Sequence, residues 1–350
     1  MNDDAKPVAT GPGESDSRPP QTIIIQQPIR SGRLLTRLLM IGLTVSILVI
    51  FGMWARYQEY YSNVTPTLEK FHSGERSAQE KIALIRVSGT IMPPFTTRIL
   101  NSIQRAGEDE AVKGVVLVVD SPGGLVTDSH QIYHALKKLS TQKQKPIFVA
   151  MKRMAASGGY YISMGAGESG KIYAEPTTWT GSIGVIIPHY DVSKLAEEWK
   201  ISADPLKTGQ FKDALSPFRE LSGEERQVWN EILDDAFQRF LEVIADNRQQ
   251  LDRAAVKKLA TGQIYTALQA VENGLVDEIG YMDDAIDALK AQLELEEVRV
   301  VTYQYQPSLA ELLVGSAEAK QPEPQWRAML DATVPRAMYF FSWTPGVPGW

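Results

Sequence analysis

The longest apolar stretch of the chain lies near its beginning. Positions 38 to 55 read LLMIGLTVSILVIFGMWA, without a charged residue, and a helix would extend this run over about 27 Å. That length is close to the ~30 Å hydrocarbon core of a bilayer. The aromatic residues Trp54, Tyr57 and Tyr60 at its far end suit the membrane interface. The pattern predicts a transmembrane helix over 34–56.

The charges on either side of this run predict its orientation. Arg30, Arg33 and Arg37 precede the run, whereas only Arg56 follows it closely, and the more basic flank usually stays in the cytoplasm. A cleaved signal peptide is the alternative, but it has a short charged start and an apolar run of roughly 7–15 residues. We therefore expect one uncleaved anchor in the inner (cytoplasmic) membrane, with the following domain on the periplasmic or other extracytoplasmic side.

The rest of the chain divides by composition into four parts. Residues 1–33 are rich in Pro, Gly, Ser, Asp and Thr, which predicts a disordered cytoplasmic tail. Residues 57–81 are polar and are predicted to form a stalk. Residues 82–295 alternate between apolar runs and helical patterns and are predicted to form the main domain. Residues 296–350 contain three tryptophans and a Met-Tyr-Phe-Phe run, which favour packing on the domain or, as we expect, on a neighbouring subunit.

Short runs of apolar and β-branched residues in the main region are bounded by Gly, Pro, Ser or Asp, which is typical of buried strands. These runs lie at 82–91, 112–120, 146–151, 171–174, 181–187 and 298–305. Apolar residues at helical spacing predict helices at 97–109, 129–139, 222–250, 253–260, 267–273 and 282–293. Ser222 and Glu225 form an S-x-x-E capping box at the start of the longest one. The β-α alternation predicts an α/β fold with a largely parallel sheet.

Composition and charge narrow the possible functions. The 350 residues are 43% hydrophobic and carry a net charge of -6, which fits a globular domain and gives no basic surface for nucleic acid. The chain has no cysteine, which excludes disulfides, a thiol nucleophile and thiolate metal sites. His130 and His134 have helical i, i+4 spacing but no third ligand is evident, so we expect an exposed helix face and no metal.

Two glycine-rich stretches are candidates for chemistry because each follows a predicted strand and opens a predicted helix. Backbone N–H groups at such a turn can bind an oxyanion, and this applies to 120–124, D-S-P-G-G. In the second stretch, A-A-S-G-G, Ser157 lies between small residues, as in a nucleophile elbow. No histidine is placed to activate it, so a lysine made neutral by burial is the alternative base. Spacing leaves Lys207 and Lys212 as equal candidates.

The motifs as a set carry a family resemblance. They are D-S-P-G-G (120–124), A-A-S-G-G-Y-Y-I-S (155–163), T-G-S-I-G-V (180–185), F-K-D-A-L-S-P-F-R (211–219) and G-L-V-D-E-I-G (274–280). With the single N-terminal span, they resemble the short, single-domain form of the signal peptide peptidase SppA family, over about 82–284. The resemblance implies a ClpP/crotonase-type spiral of ββα units and a serine endopeptidase without a cofactor.

The resemblance also implies roles for single residues. It makes Ser157 the nucleophile and Lys212, rather than Lys207, the general base of a Ser-Lys dyad. It makes Ser182 the residue that orients the lysine, and it makes Gly123 and Gly158 the backbone donors to the oxyanion. These five motif positions are therefore the expected site.

We accordingly expect a membrane-anchored, homo-oligomeric serine endopeptidase that degrades remnant signal peptides or other membrane-proximal peptides. A SohB-like or stomatin-partner membrane protease of the same superfamily is the first alternative. A non-catalytic oligomeric scaffold with this fold is the second, and the presence of both Ser157 and Lys212 argues against it. A crotonase-like acyl-CoA enzyme would need a catalytic Glu in place of A-S-G-G.

Overall fold

The computed structural model describes residues 31–61, 67–305 and 337–340. Contacts divide the chain into two compact units, Met1–Asn63 and Val64–Trp350. The predicted tail lies outside the described residues as far as position 30, and so does most of the C-terminal segment.

Within the first unit the structure describes one long helix, α1 (Ser31–Tyr61). Its apolar stretch Thr36–Trp54 has 19 residues, all of them exposed, and is long and apolar enough to cross a membrane. The exposure of so many large apolar side chains is what a helix surrounded by lipid requires.

The second unit is an α/β domain around one large sheet. Its described strands are β1 (Thr67–Gly74), β2 (Lys81–Ser88), β3 (Val112–Ser121), β4 (Gly123–Leu125), β5 (Ile147–Ala156), β6 (Ile172–Ala174), β7 (Trp179–Gly181), β8 (Ile264–Thr266), β9 (Glu278–Ile279), β10 (Arg299–Tyr305) and β11 (Met338–Phe340). Its described α-helices are α2 (Phe95–Glu108), α3 (Val126–Gln142), α4 (Gly158–Ser163), α5 (Ser193–Glu198), α6 (Gly223–Asn247), α7 (Arg253–Leu259), α8 (Ala267–Glu272) and α9 (Met282–Gln292).

The large sheet has the strand order β1-β10-β2-β3-β5-β6-β9, with β7 paired to β5 and to β8. The central pairs are parallel, and β1 is antiparallel to β10. Alternate residues of β3 face different cores: Val115, Leu117 and Val119 lie in one, and Val116 and Val118 in the other. A strand covered on both faces has to be apolar almost throughout, which is why β3 reads VKGVVLVVDS.

The elements confirm the α/β prediction and most of the predicted positions. Ser222 caps α6, and its capping box with Glu225 is present. The strand predicted at 181–187 is wrong in its bounds, because β7 ends at Gly181 and Ser182 has a φ of +50°, which no strand continues through.

The predicted stalk over 57–81 is wrong where it covers β1. Residues Thr67–Gly74 pair along β10 from Thr67↔Tyr305 to Gly74↔Arg299, so they belong to the sheet. An edge strand keeps one side towards water and therefore carries polar residues, which made TLEKFHSG resemble a linker. The domain thus begins before position 82, and β10 extends it beyond 295.

Candidate active site

The nucleophile expected from the sequence lies at a sharp turn between a strand and a helix. β5 ends at Ala156, Ser157 has φ 52° and ψ −111°, and α4 begins at Gly158. A positive φ is strained for a residue with a Cβ and persists only where surrounding contacts hold it. Here the Ser157 N–H donates to Gly181 O at 2.7 Å, and the Ser157 C=O accepts from Tyr161 N–H at 2.8 Å. These bonds fix the turn from both sides.

The two glycines after Ser157 allow the turn to lie close to its neighbours. A Cβ added to Gly158 would lie 2.6 Å from Ser129 Oγ and 3.1 Å from Gly123 Cα. A Cβ added to Gly159 would lie 2.8 Å from the backbone oxygen of Ser121. The separations of 2.6 Å and 2.8 Å are too short for a carbon atom, so this close approach requires the sequence S-G-G.

The Ser157 hydroxyl is buried and unpaired. The residue is 1% exposed, and its Oγ has no hydrogen-bond partner among the described residues. Leaving a buried hydroxyl without a partner costs about 1–3 kcal/mol, so such groups are uncommon outside functional sites. This is the property expected of a nucleophile that is held ready for a substrate and a base.

The D-S-P-G-G turn lies directly beside Ser157. Gly123 has a φ of +103°, which a residue with a side chain rarely adopts, and its N–H donates to Ser121 Oγ at 3.1 Å. Ser121 is fully buried. The close approach of Gly123 to Gly158 shows that the two glycine-rich stretches meet in space, which agrees with the roles that the family resemblance implies for them.

Ser182 lies at the neighbouring strand end. β5 and β7 are parallel and pair at Ala156↔Gly181, so Ser157 and Ser182 both follow a paired residue. Ser182 is 6% exposed, and its N–H donates to Gln263 O at 2.7 Å. The structure therefore brings Ser157, Ser182, Gly123 and Gly158 to one end of the sheet.

The two candidate lysines lie in the same loop but differ in their contacts. Lys207 Nζ forms an ion pair with Asp213 Oδ1 at 2.5 Å, and Arg219 binds the same carboxylate at 2.9 Å. These cations hold the pKa of Asp213 well below its usual range. Arg219 also binds Glu225, whose pKa it lowers to about 2. Lys207 is thus committed to a charge cluster, which consists of Lys207, Asp213, Arg219 and Glu225.

Lys212 makes no such contact. Its backbone N–H donates to Gly209 O at 3.3 Å, and its side chain is exposed. Within the described part of the chain, Lys212 Nζ forms no hydrogen bond or ion pair, and none links it to Ser157 or Ser182. The structure thus leaves Lys212 free, but it does not join it to the serine end of the site.

Comparisons with known protein families match the part of the chain that contains these residues. The peptidase family S49 matches residues 140–296, which include Ser157, Ser182 and Lys212, and the Clp protease family matches residues 75–181. A candidate signal peptide peptidase SppA of Enterococcus faecium is 40% identical over 255 residues, covering 70% of this chain and 72% of that protein. The chain belongs to peptidase family S49.

Other relatives of this S49 peptidase differ in length. Protease 4 of Haemophilus influenzae is 32% identical over 66% of this chain but only 37% of the relative. A protease SohB of the same organism is 32% identical over 71% of this chain and 69% of the relative. The chain is therefore a serine peptidase with a ClpP-like α/β domain, as predicted from its motifs.

A strand from the C-terminal part of the same chain pairs beside the Ser157 turn. β11 pairs antiparallel with β4 at Phe340↔Gly123, Tyr339↔Gly124 and Met338↔Leu125. Tyr339 is fully buried, and its ring lies 4.9 Å from that of Tyr161 and 4.6 Å from that of Phe240.

Sequence analysis did not find this contact. The signal was the apolar Met-Tyr-Phe-Phe run, which favoured packing on the domain or, as we expected, on a neighbouring subunit. Residues 337–340 pair with β4 of their own chain, so for them the first alternative holds and not the one we favoured. A three-residue strand with a distant partner leaves no periodicity in the sequence, so its position was not predictable from pattern.

Proposed function

We propose that this S49 peptidase is a membrane-anchored endopeptidase in which Ser157 is the nucleophile and Lys212 the general base. The observation that carries the proposal is the Ser157 turn, which is strained, buried and unpaired at its hydroxyl. Lys212 supports it because, among the residues that the structure describes, its side chain has no hydrogen bond or ion pair, whereas Lys207 belongs to the charge cluster.

In the proposed reaction, Ser157 Oγ attacks the carbonyl carbon of the scissile peptide bond while its proton passes to Lys212 Nζ. The tetrahedral intermediate collapses when Lys212 returns the proton to the leaving amine, and the C–N bond breaks. Lys212 then deprotonates a water molecule, which attacks the remaining ester. The C–O bond to Ser157 breaks, and Lys212 returns the proton to Ser157 Oγ. Ser182, at the neighbouring strand end, is the proposed orienting partner of the lysine.

Two backbone groups are proposed to stabilise the oxyanion. The N–H of Gly158 is in the first turn of α4, where helix N–H groups lack intrahelical acceptors. The N–H of Gly123 faces Ser121 Oγ at 3.1 Å, so the hydroxyl competes with the oxyanion for this donor. Charge that develops on the substrate oxygen favours it over a neutral hydroxyl acceptor.

A lysine side chain must be buried away from water to act as a neutral base. In the single chain Lys212 is exposed, so this condition is not met there. Large apolar side chains are exposed along the segment that contains it: Trp199 is 73%, Leu206 99%, Phe211 42% and Phe218 46% exposed. A second copy of the chain packed on this surface would bury both the apolar side chains and Lys212. We therefore propose a homo-oligomer in which assembly completes the site.

The proposed substrates are remnant signal peptides and other peptides near the membrane. The helix α1 supports this, because an anchored peptidase meets such substrates at high effective concentration. The name of the Enterococcus faecium relative supports the same substrate class. The arginines that precede the span support placement of the domain outside the cytoplasm, in the periplasm of a cell with two membranes.

The test is covalent labelling of the detergent-solubilised full chain with a fluorophosphonate, which reacts with activated serines. We expect labelling of the wild type and of Ser140→Ala, a surface control, and none of Ser157→Ala. Labelling of Ser157→Ala at the wild-type rate would refute the assignment of the nucleophile.

A further inference from the structure

The G-L-V-D-E-I-G segment (274–280) has no place in the proposed reaction, yet it contacts the helix that follows Ser157. Tyr160, in α4, is fully buried, and its hydroxyl donates to Leu275 O at 2.9 Å. Burial raises the pKa of Tyr160 well above its usual value, so the hydroxyl keeps its proton and remains a donor. One hydrogen bond thus joins the nucleophile helix to a segment 115 residues further along the chain.

The position of α4 depends on such contacts because the helix is short. It has six residues, all of them buried, and an isolated helix of that length is not stable in water. The Ser157 C=O accepts from Tyr161 N–H at 2.8 Å, so the backbone of Ser157 moves with the first turn of α4. Ser157 Oγ has no hydrogen-bond partner among the described residues, so within this part of the chain the backbone alone sets its position.

The acceptor of the Tyr160 hydroxyl is itself fixed from more than one side. The peptide group between Leu275 and Val276 contributes the C=O that Tyr160 binds, and its N–H donates to Ala270 O at 3.2 Å. The Leu275 N–H donates to the same oxygen at 2.8 Å, and the residue is fully buried. The Leu275 carbonyl is therefore a fixed point against which α4 is held.

Arg248, which directly follows α6, binds the same segment and is 5% exposed. Its guanidinium donates to both carboxylate oxygens of Asp277 at 2.9 Å, and to Gly274 O at 2.8 and 3.0 Å. Asp277 Oδ2 also accepts from the N–H of Ile172, on β6, at 2.7 Å. A two-point contact between arginine and a carboxylate fixes orientation as well as distance. Leu275 thus lies between two residues, Gly274 and Asp277, that Arg248 holds in place.

We propose that Tyr160 is a positioning residue of this peptidase, which holds α4, and with it the Ser157 hydroxyl, against the G-L-V-D-E-I-G segment that Arg248 binds. The Tyr160 hydroxyl is bound to Leu275, so it acts on Ser157 through the backbone of α4. A displacement of about 1 Å in a reacting group can lower a rate roughly a hundredfold. The loss is therefore expected in kcat rather than in KM. The inference rests on the proposed function, because it presupposes that Ser157 is the nucleophile.

The first test removes the hydroxyl alone. Tyr160→Phe keeps the buried ring, and Tyr303→Phe on β10 is the matched control, because the Tyr303 hydroxyl is also buried but has no hydrogen-bond partner among the described residues. In the detergent-solubilised full chain, we expect Tyr160→Phe to lower kcat for a quenched fluorescent peptide and the rate of fluorophosphonate labelling about tenfold, with KM within about twofold of wild type. Tyr303→Phe should match the wild type. Wild-type kcat and labelling in Tyr160→Phe would overturn the proposal, even if its melting temperature fell.

The second test asks whether Arg248 acts through Tyr160. Arg248→Lys keeps the positive charge but loses the two-point contact with Asp277, and Arg253→Lys, at an exposed arginine of α7, is the control. We expect labelling to slow about fivefold in Arg248→Lys, and the double variant with Tyr160→Phe to be hardly slower than Tyr160→Phe alone. Wild-type labelling in Arg248→Lys, or losses that multiply in the double variant, would overturn the part assigned to Arg248.

The third test does not depend on catalysis. Amide hydrogen exchange, followed by mass spectrometry, compares residues 157–163 with strand β3 in the same variants. We expect exchange over 157–163 to be about tenfold faster in Tyr160→Phe than in wild type, with β3 unchanged. Equal exchange in the two chains would overturn the proposal. If the wild type neither cleaved peptides nor was labelled at Ser157, the proposed function would fail, while this comparison would still decide whether Tyr160 holds the turn.

Discussion

Three residues at the end of the sheet, Ser157, Ser182 and Gly123, have a positive φ. Two of them are serines, for which this conformation is unfavourable, and the hydrogen bonds of their N–H groups to Gly181 O and Gln263 O hold them in it. Gly181 lies on β7 and Gln263 directly precedes β8. These short strands therefore hold the backbone of the two serines in place.

The assignment of the base is tested by substituting the two loop lysines. We expect Lys212→Ala, like Ser157→Ala, to lose activity by about a thousandfold or more, and the double variant to be hardly worse than either. The control is Lys207→Ala, which removes one ion pair to Asp213 and should keep most activity. The measurement is kcat/KM for peptide hydrolysis, with circular dichroism to confirm folding. An inactive Lys207→Ala beside an active Lys212→Ala would reverse the assignment.

The close packing of the nucleophile turn is tested with a pair of glycine substitutions. Gly159→Ala places a Cβ 2.8 Å from the Ser121 backbone oxygen, and we expect a loss of about 1–3 kcal/mol in the free energy of unfolding. Gly223→Ala on α6 has open space within 4 Å and should be neutral or slightly stabilising. Urea denaturation measures both. An equal response of the two variants would mean that the close approach is not a constraint.

For single residues, the sequence predicts the position of Ser157 and its neighbouring glycines better than that of the lysine base. Gly-rich turns after apolar strands leave a local signal, and Ser157, Gly123 and Gly158 are found together as expected. Lys212 leaves none, because the partners that would bury it are distant in sequence or belong to another copy. The family resemblance, rather than the spacing, separates it from Lys207.

Among the elements, α6 and the loop before it form a unit held by charge. Arg219 joins Asp213 to Glu225, and Glu225 also closes the capping box of Ser222. Glu225 is 3% exposed, so its contacts are shielded from solvent more than those of a surface ion pair. This cluster fixes the loop that contains Lys212.

The contribution of this cluster depends on pH with a definite sign. The pKa of Glu225 is lowered in the folded chain from 4.5 to about 2, so its stabilisation is present above pH 4.5 and is lost as the pH falls towards 2. We expect Glu225→Gln to be less stable than wild type at pH 6 and the difference to shrink below pH 4. Denaturant unfolding at several pH values measures it, with the exposed Glu231→Gln as control. A difference that does not change with pH would contradict this assignment.

Elements with a buried face were predictable, and those at the edges were not. β3 and β5 are apolar because both of their faces are covered. The start of α6 is marked in the sequence by a capping box. β1 is polar and short of apolar residues, and β11 has only three residues. Their places are set by tertiary pairing, which a local pattern does not record.

For the whole molecule, the apolar helix and not the charge of the chain is the feature that suits attachment to a membrane. The net charge of -6 gives no attraction to anionic lipid heads, so α1 is the feature that would hold the enzyme at a membrane. The orientation proposed from the arginines is independent of the site and needs its own test.

Because the chain has no cysteine, single introduced cysteines report the orientation directly. In intact cells with a permeable outer envelope, we expect a membrane-impermeant maleimide to label Thr141→Cys, in the exposed end of α3, but not Ser17→Cys. Both should be labelled after detergent is added, which controls for reactivity. Labelling of Ser17→Cys alone in intact cells would reverse the proposed orientation.

Assembly is the remaining property of the whole molecule. The sequence pointed to the C-terminal segment as the subunit interface, whereas the structure points to the exposed apolar residues near Lys212 in the sequence. The segment 337–340 lies on its own chain, whereas Trp199 and Leu206 are exposed near Lys212. A charge placed at either position would have to be buried in the proposed interface, which is costly without a partner. We expect Leu206→Glu to sediment as a smaller species in analytical ultracentrifugation and to lose peptidase activity while keeping its circular dichroism spectrum. Leu268→Glu, an exposed leucine on α8, is the matched control and should retain both assembly and activity. A fully active Leu206→Glu monomer would show that one chain completes the site, and Lys212 would then have to reach Ser157 by a movement of its own loop.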